Sequence, residues 1–307
     1  MADSLKANVL KQQATPTPLA ESSPQPRSLI VNGDDFGFST GVNRAIIAAH
    51  QSGVLTSTSL MVSGAAFEEA VALAKMHPTL GVGLHLTLGC GRSVLPPSQI
   101  PHLVDAAGNF PDDPVQVGLR YQFNPAARRE LPLEIRAQLE KFRQTGLPLA
   151  HVDGHLHHHV HPVVLREVVN LADEFKIKVI RLPSEELGAT LKLDQTNLMT
   201  KVVWSLVFAG LRRHGEKLLN AQGIRYADRV YGLLQTGRMT EDYLLGLIPQ
   251  IQANVVEIYS HPAIAPVDPS GDALLNAGES ELGALLSEQV RHQIIQHNFR
   301  LINYLDL

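Results

Sequence analysis

The chain has a single cysteine, Cys90, in 307 residues. That excludes an intrachain disulfide framework and fits a reducing compartment. It has no excess of positive charge: 26 Lys and Arg against 30 Asp and Glu give −4, so nothing points to nucleic acid or an anionic membrane surface as a general partner. No stretch reaches the roughly 18 uninterrupted apolar residues of a spanning helix. The first residues lack the basic segment followed by an apolar one that marks a signal peptide. The expected location is therefore the cytoplasm. No G-x-S-x-G elbow, no Walker A loop and no G-x-G-x-x-G turn occurs, so serine hydrolases, P-loop enzymes and Rossmann dehydrogenases lack support.

Histidine is what the chain has in quantity. There are 14, and six of them fall between His151 and His161. Residues 1–27, rich in Pro, Ser, Gln and Thr, read as a disordered leader. Residues 28–307 read as a single domain. Within it, apolar strands alternate with amphipathic helices. Strands are expected at residues 29–31, 54–62, 80–88, 149–153, 178–182 and 255–259. Helices are expected at residues 39–52, 65–77, 133–145, 162–175, 240–251 and 280–304. This alternation implies parallel β/α units. The expected fold is α/β, a single TIM-like (β/α) barrel that need not be regular, with an open doubly wound sheet as the second choice. Residues 89–132 carry seven prolines and little periodicity, and are expected to be an irregular insertion walling a substrate cleft. Residues 202–211 are apolar almost all round. They read as a buried helix of the outer layer, or as a lid or a surface meeting lipid or a partner.

The chemistry gathers at the carboxyl ends of the expected strands, where parallel α/β folds bind ligands. Asp34 and Asp35 end the first strand, His85 lies in the third, and residues 151–157 end the fourth. Arg181 lies in the fifth and His261 ends the last. Two adjacent carboxylates on a buried strand repel each other and resist burial, so a cation beside them is expected. The alternative is that they cap the next helix. In the stretch HVDGHLHHHVH, strand alternation would put His151, Asp153, His155, His157, His159 and His161 on one face. The strand is expected to stop near Gly154, so only the first three or four keep that geometry. Neutral imidazoles bind Zn²⁺ and similar ions, and a carboxylate such as Asp153 often orients the ring. His158, His159 and His161 read instead as surface histidines of a polar loop. One Asp and two His leave coordination positions open, as in a catalytic site. The other Asp is then free to act as a base, and His261 is the natural acid for a leaving amine.

These residues resemble the YdjC-like carbohydrate deacetylases, the group that includes chitooligosaccharide deacetylase (ChbG-type). The matching stretches are VNGDDFGFSTGVNRAI, TSTSLMV, GLHLTL, HVDGHLHHHVHP and SHP, spanning residues 29 to about 265. RLPSE, the apolar 200s segment, YADRVYGLLQTGRMT and EIYSHPA look most like the hopanoid-biosynthesis-associated branch, HpnK. The resemblance implies a barrel-type hydrolase that removes an N-acetyl group from a sugar. It implies Asp35, His85 and His155 as metal ligands, Asp34 as base and His261 as acid. Asp153, Arg181 and His157 are expected near the ligands or the substrate. The chain departs from the family pattern at Gly33, Gly154 and Leu156, none of them a ligand, which bears on pocket shape.

The expected cofactor is one divalent ion. Zn²⁺, Co²⁺, Mn²⁺ or Fe²⁺ suit two His and one Asp, and Mg²⁺ suits them less well. The expected substrate is an acetylated amino sugar in a glycan or glycolipid, with a hopanoid-linked sugar favoured by the HpnK-like features. A homodimer and a peripheral membrane association are further expectations from the resemblance. The competing readings are a soluble chito-oligosaccharide deacetylase, another metal enzyme such as a phosphoesterase or sugar isomerase, and a non-enzymatic binding protein.

Overall fold

Short apolar strands with little polar surface must be covered on both faces, and the sheet is built that way. The computed structural model describes residues 26–264 and 273–307. In chain order the elements are β1 (Arg27–Phe36), α1 (Thr40–Ser52), β2 (Ser57–Leu60), α2 (Phe67–Met76), β3 (Gly81–Leu86), α3 (Pro114–Phe123), α4 (Pro125–Gln144) and β4 (Val152–Gly154). There follow α5 (Pro162–Asn170), α6 (Ala172–Phe175), α7 (Leu187–Leu193), α8 (Leu198–Ala221), β5 (Arg229–Tyr231), α9 (Glu241–Leu247), β6 (Val255–Ser260), α10 (Ala273–Leu286), α11 (Glu288–Gln296) and β7 (Phe299–Leu301). All named strand pairs are parallel, and the order is β4-β3-β2-β1-β6-β5. β7 pairs with Arg27 to Leu29 of β1, next to the stretch of β1, from Asn32 on, that pairs with β2. Every residue of β2 and β3 is buried, as parallel strands covered by helices require.

The sheet curls into a half-barrel and does not close as a TIM barrel, contrary to the first expectation. Closure fails between β4 and β5. Residues 178–182, expected as a strand, make only single bridges, Val152 to Ile180 and Val179 to Arg225, and Ser184 then meets Val230 antiparallel. Pro183 has no N–H to extend a ladder, and β4 and β5 are only three residues each.

The Pro-rich insertion is less irregular than expected. Asp113 caps α3 and Asn124 caps α4, each accepting two backbone N–H bonds, with proline at the first turn. α4 runs through Pro132, so the helix expected from residue 133 starts at Pro125. The closing helix expected over 280–304 is divided: Ser287 caps α11 by accepting from Gln289 and Val290, and β7 follows. Of the leader expected over 1–27, residues 1–25 lie outside the described residues, and Arg27 opens β1. The apolar segment, residues 202–211, lies in the middle of α8. It is not simply buried: Leu206 is 70% and Val203 52% exposed, while Phe208 packs inward.

Candidate active site

β1 supplies two carboxylates that part company. Asp34, in extended backbone, points into the sheet's interior and is 2% exposed. Asp35 sits at φ +65°, the left-handed region that non-glycine residues avoid. Such a conformation costs on the order of 1–3 kcal/mol and is held by its surroundings. It turns the Asp35 carboxylate away from Asp34 and toward two imidazoles. Asp35 Oδ1 lies 3.2 Å from His85 Nε2 and 2.9 Å from His155 Nδ1. One donor atom from each of the three lies within 4.8 Å of the others. His85 is locked by Asp153, whose Oδ1 is 2.8 Å from Nδ1, so Nε2 is the nitrogen that faces Asp35.

The charges explain the local pKa values. Burial alone would raise Asp35, but His155 and then His85 win and hold it well below the usual carboxylate range. Burial would lower His85, but Asp153 raises it to about 10. His155, likewise opposed by burial, is raised by Asp35 to about 9. Both imidazoles therefore answer a strongly negative surrounding. A divalent cation answers the same potential, and one carboxylate with two imidazoles is a donor set that such an ion accepts. Asp34, His85 and Asp153 form a second cluster of donor atoms, but Arg181 already occupies both of those carboxylates. Asp35 and His155 keep about a sixth of each side chain exposed, 17%, so the first group is the one open to a substrate.

Arg181 is the cation beside Asp34. It is fully buried, with Nη1 donating to Asp34 Oδ2 and Nη2 to Oδ1, both at 2.8 Å. Its Nη1 is also 2.8 Å from Asp153 Oδ2, and Nε and Nη2 donate to Glu257 Oε1 at 2.9 and 2.6 Å. A buried arginine that pairs with three carboxylates is fully satisfied. Asn32 Nδ2 donates to Asp34 Oδ1 at 2.8 Å. His261 Nε2 stands 4.0 Å from Asp34 Oδ2, and its backbone N–H is held by Glu281 at 2.6 Å.

A cleft of about 330 Å³ opens over these groups, lined by Asp34, His85, His155, His157 and His261 at its floor. Leu156, Trp204, Phe208, Leu233 and Leu234 form an apolar wall. Lys201 and Arg238 stand at the same wall, and both pair with Asp194.

The strand β4 ends at Gly154, as expected. A 3-10 turn over His155–Val160 follows, with Leu156 at φ 53° and His157 at φ 56°. His151 thus turns away from His155 and stacks on Tyr304. His157 Nε2 meets Tyr259 Oη at 2.8 Å and lines the cleft. His158 and His159, expected at the surface, are buried at 6% and 0% exposure; only His161 keeps partial exposure. The α5 helix and the insertion cover them. Asp34, Asp35, His85, Asp153, His155, Arg181 and His261 all come together at one end of the sheet. The expectation missed Glu257, Tyr259 and Tyr304. Glu257 carried a signal: a charge inside the apolar strand VVEIY must find a buried partner.

Burial pushes His158 down to about 4. The unfolded chain takes up a proton near pH 6.5 that the fold refuses. Stability is therefore complete above pH 6.5 and declines as pH falls toward 4, by about 3 kcal/mol for this group. His158→Gln is expected to flatten the fall in thermal midpoint between pH 7 and 4.5, leaving the similar contribution of His159. Equal slopes for the two proteins would refute this.

A family model described as YdjC-like protein matches residues 28–296. A carbohydrate deacetylase of Brevibacillus brevis is 36% identical over 280 residues, 91% of this chain and 99% of that protein. A carbohydrate deacetylase of Thermoanaerobacter pseudethanolicus is 28% identical over 282 residues, 90% of this chain and 97% of that protein. Among solved structures, an Enterococcus faecalis protein described as a cellobiose-phosphate cleavage protein superposes with a TM-score of 0.69 at 26% identity, over 91% of this chain and 98% of that one.

Proposed function

The chain belongs to the YdjC-like family, and from that premise we propose that it is a metal-dependent carbohydrate deacetylase. It removes the N-acetyl group from an N-acetylglucosamine-containing glycan or glycolipid. The observation that carries this reading is the convergence of Asp35, His85 and His155 beneath an open cleft, with Asp34 and His261 beside them. Asp35, His85 and His155 would hold the divalent ion. When bound, such an ion polarises an amide carbonyl and lowers the pKa of a water.

The chain's own groups do the rest. Asp153 holds the His85 ring in the orientation that presents Nε2. Asp34 is the base that takes the proton of the attacking water, with Arg181 and Asn32 fixing its carboxylate. The water oxygen ends in acetate, and the amide C–N bond breaks. His261, on the cleft side of Asp34, supplies the proton that the departing amine needs. The apolar wall shields this exchange from bulk water.

The finer reading, an HpnK-type enzyme acting on a hopanoid-linked sugar, is supported by the exposed first turns of α8 and by Trp204 and Phe208 at the cleft. An apolar aglycone would bury that surface. Cytoplasmic location, peripheral membrane association and a homodimer belong to the same proposal. Acetate release is to be compared on soluble chito-oligosaccharides and on N-acetylglucosaminyl hopanoids. The lipid reading expects preference for the second, and Trp204→Ser should reduce that preference alone. Strong preference for the soluble oligosaccharide removes the lipid reading and leaves a soluble-glycan deacetylase.

A further inference from the structure

We infer that Tyr304, in the last turn of the chain, is a positioning residue for the reaction centre, acting through Glu257 and Arg181 on Asp34 and Asp153. Tyr304 enters from the end of the sheet opposite the cleft and is fully buried. Its turn is anchored there: the backbone N–H of Tyr304 donates to Ser57 Oγ at 3.3 Å, that of Ile302 to Leu29 O at 3.0 Å, and Asn303 and Asp306 cap each other. Its hydroxyl donates to Glu257 Oε2. The other oxygen of Glu257 takes both Nε and Nη2 of Arg181, and the guanidinium fork grips Asp34 and Asp153. A continuous line of charge-assisted bonds thus runs from the C-terminal turn to the proposed base.

The Tyr304 ring makes a second contact. It stacks on His151 with centroids 3.9 Å apart and planes at 24°. His151 Nε2 is 3.1 Å from Ser59 Oγ, which donates to Asp153 Oδ2 at 2.6 Å. The ring of His151 has room only because residue 83 is glycine: a Cβ there would lie 2.3 Å from its Cε1. The ring and the hydroxyl of Tyr304 therefore both bear on Asp153, and the hydroxyl bears on Asp34 as well. Without the hydroxyl, Glu257 keeps one satisfied oxygen and is free to rotate about its link to Arg181. A small rotation of that fork moves Asp34, and misplacement of a reacting group on the ångström scale is costly to rate.

The inference rests on the deacetylase reading for its rate test. In acetate release from chito-oligosaccharides, Tyr304→Phe is expected to lower kcat roughly 10- to 100-fold with KM unchanged. Tyr304→Phe combined with Glu257→Gln should be no worse than the poorer single variant, because one acts through the other. A purely structural tyrosine would lower the thermal midpoint and leave kcat below that midpoint intact. An unchanged kcat, or losses that multiply, overturns the inference. Should Tyr304→Phe fail to fold, Glu257→Gln carries the test on the same kcat and KM criteria. Calorimetric titration with Zn²⁺ separates this from the reading beneath it. If the wild type releases no acetate, that reading fails by itself, and Tyr304→Leu still should bind Zn²⁺ roughly 10-fold more weakly through Asp153 and His85. Unchanged Zn²⁺ affinity in that variant overturns the inference.

Discussion

His155→Ala is expected to release the divalent ion and to reduce acetate release by more than about 10²-fold, the upper range for losing a mere outer partner of a metal ligand. The geometry gives His155 this weight. Its Nδ1 approaches Asp35 Oδ1 at 2.9 Å, and it stands at the cleft with its side chain 17% exposed, where an ion and a substrate can reach it. Removal leaves Asp35 and His85, two donors, and structural or catalytic zinc sites keep at least three from the protein. Metal analysis should find about one ion per wild-type chain and almost none in the variant. The fold should persist, since His155 lies outside the core and packs edge-on against His85 rather than inside an apolar cluster. A variant that keeps the wild-type ion content removes His155 from the ligand set. Content near two ions per wild-type chain would instead favour a two-metal centre and the phosphoesterase alternative.

Much of the candidate site could be read from local sequence because its proposed donors sit where strand ends announce them. His85 falls in an alternating stretch, Asp34 and Asp35 close an apolar run, and Asp153 ends the strand expected over 149–153, with His155 just beyond it. What was not legible depends on backbone twists and distant partners. Nothing in the letters at residue 35 signals φ +65°, yet that angle decides which aspartate meets the histidines. Nothing local links Tyr304 to Glu257 or Glu257 to Arg181, because 47 and 76 residues separate the partners. The cation expected beside the two aspartates is partly Arg181, a residue that the resemblance left at the margin. The open sheet was only the second choice for a different reason. Residues 178–182 have a strand's composition, and their failure to pair regularly follows from Pro183 and from the brevity of β4. In the insertion, the count of prolines hid two good helix starts, since Pro114 and Pro125 each follow a capping residue.

Asp34→Asn is expected to lower kcat by roughly 10²- to 10⁴-fold, the range for a lost general base, while the ion stays bound. None of the three proposed donors changes, so metal content should match the wild type. The two aspartates thereby separate: one substitution removes chemistry, and one made at Asp35 would remove the ion. The asparagine is not innocent, and its hydrogen bonds say how. Asp34 Oδ1 accepts from Asn32 Nδ2 and Arg181 Nη2, so the amide oxygen must take that place. The amide nitrogen then occupies the position of Oδ2 and faces Arg181 Nη1, donor against donor. That loss should destabilise the fold by about 1–3 kcal/mol, visible as a lower thermal midpoint. Arg181 itself stays paired, because Asp153 and Glu257 remain. Assayed well below that midpoint, the variant should bind substrate with near wild-type KM and turn it over poorly. Wild-type kcat would strip Asp34 of the role of base. Loss of the ion would instead move Asp34 into the ligand set, as the neighbouring cluster of Asp34, His85 and Asp153 allows.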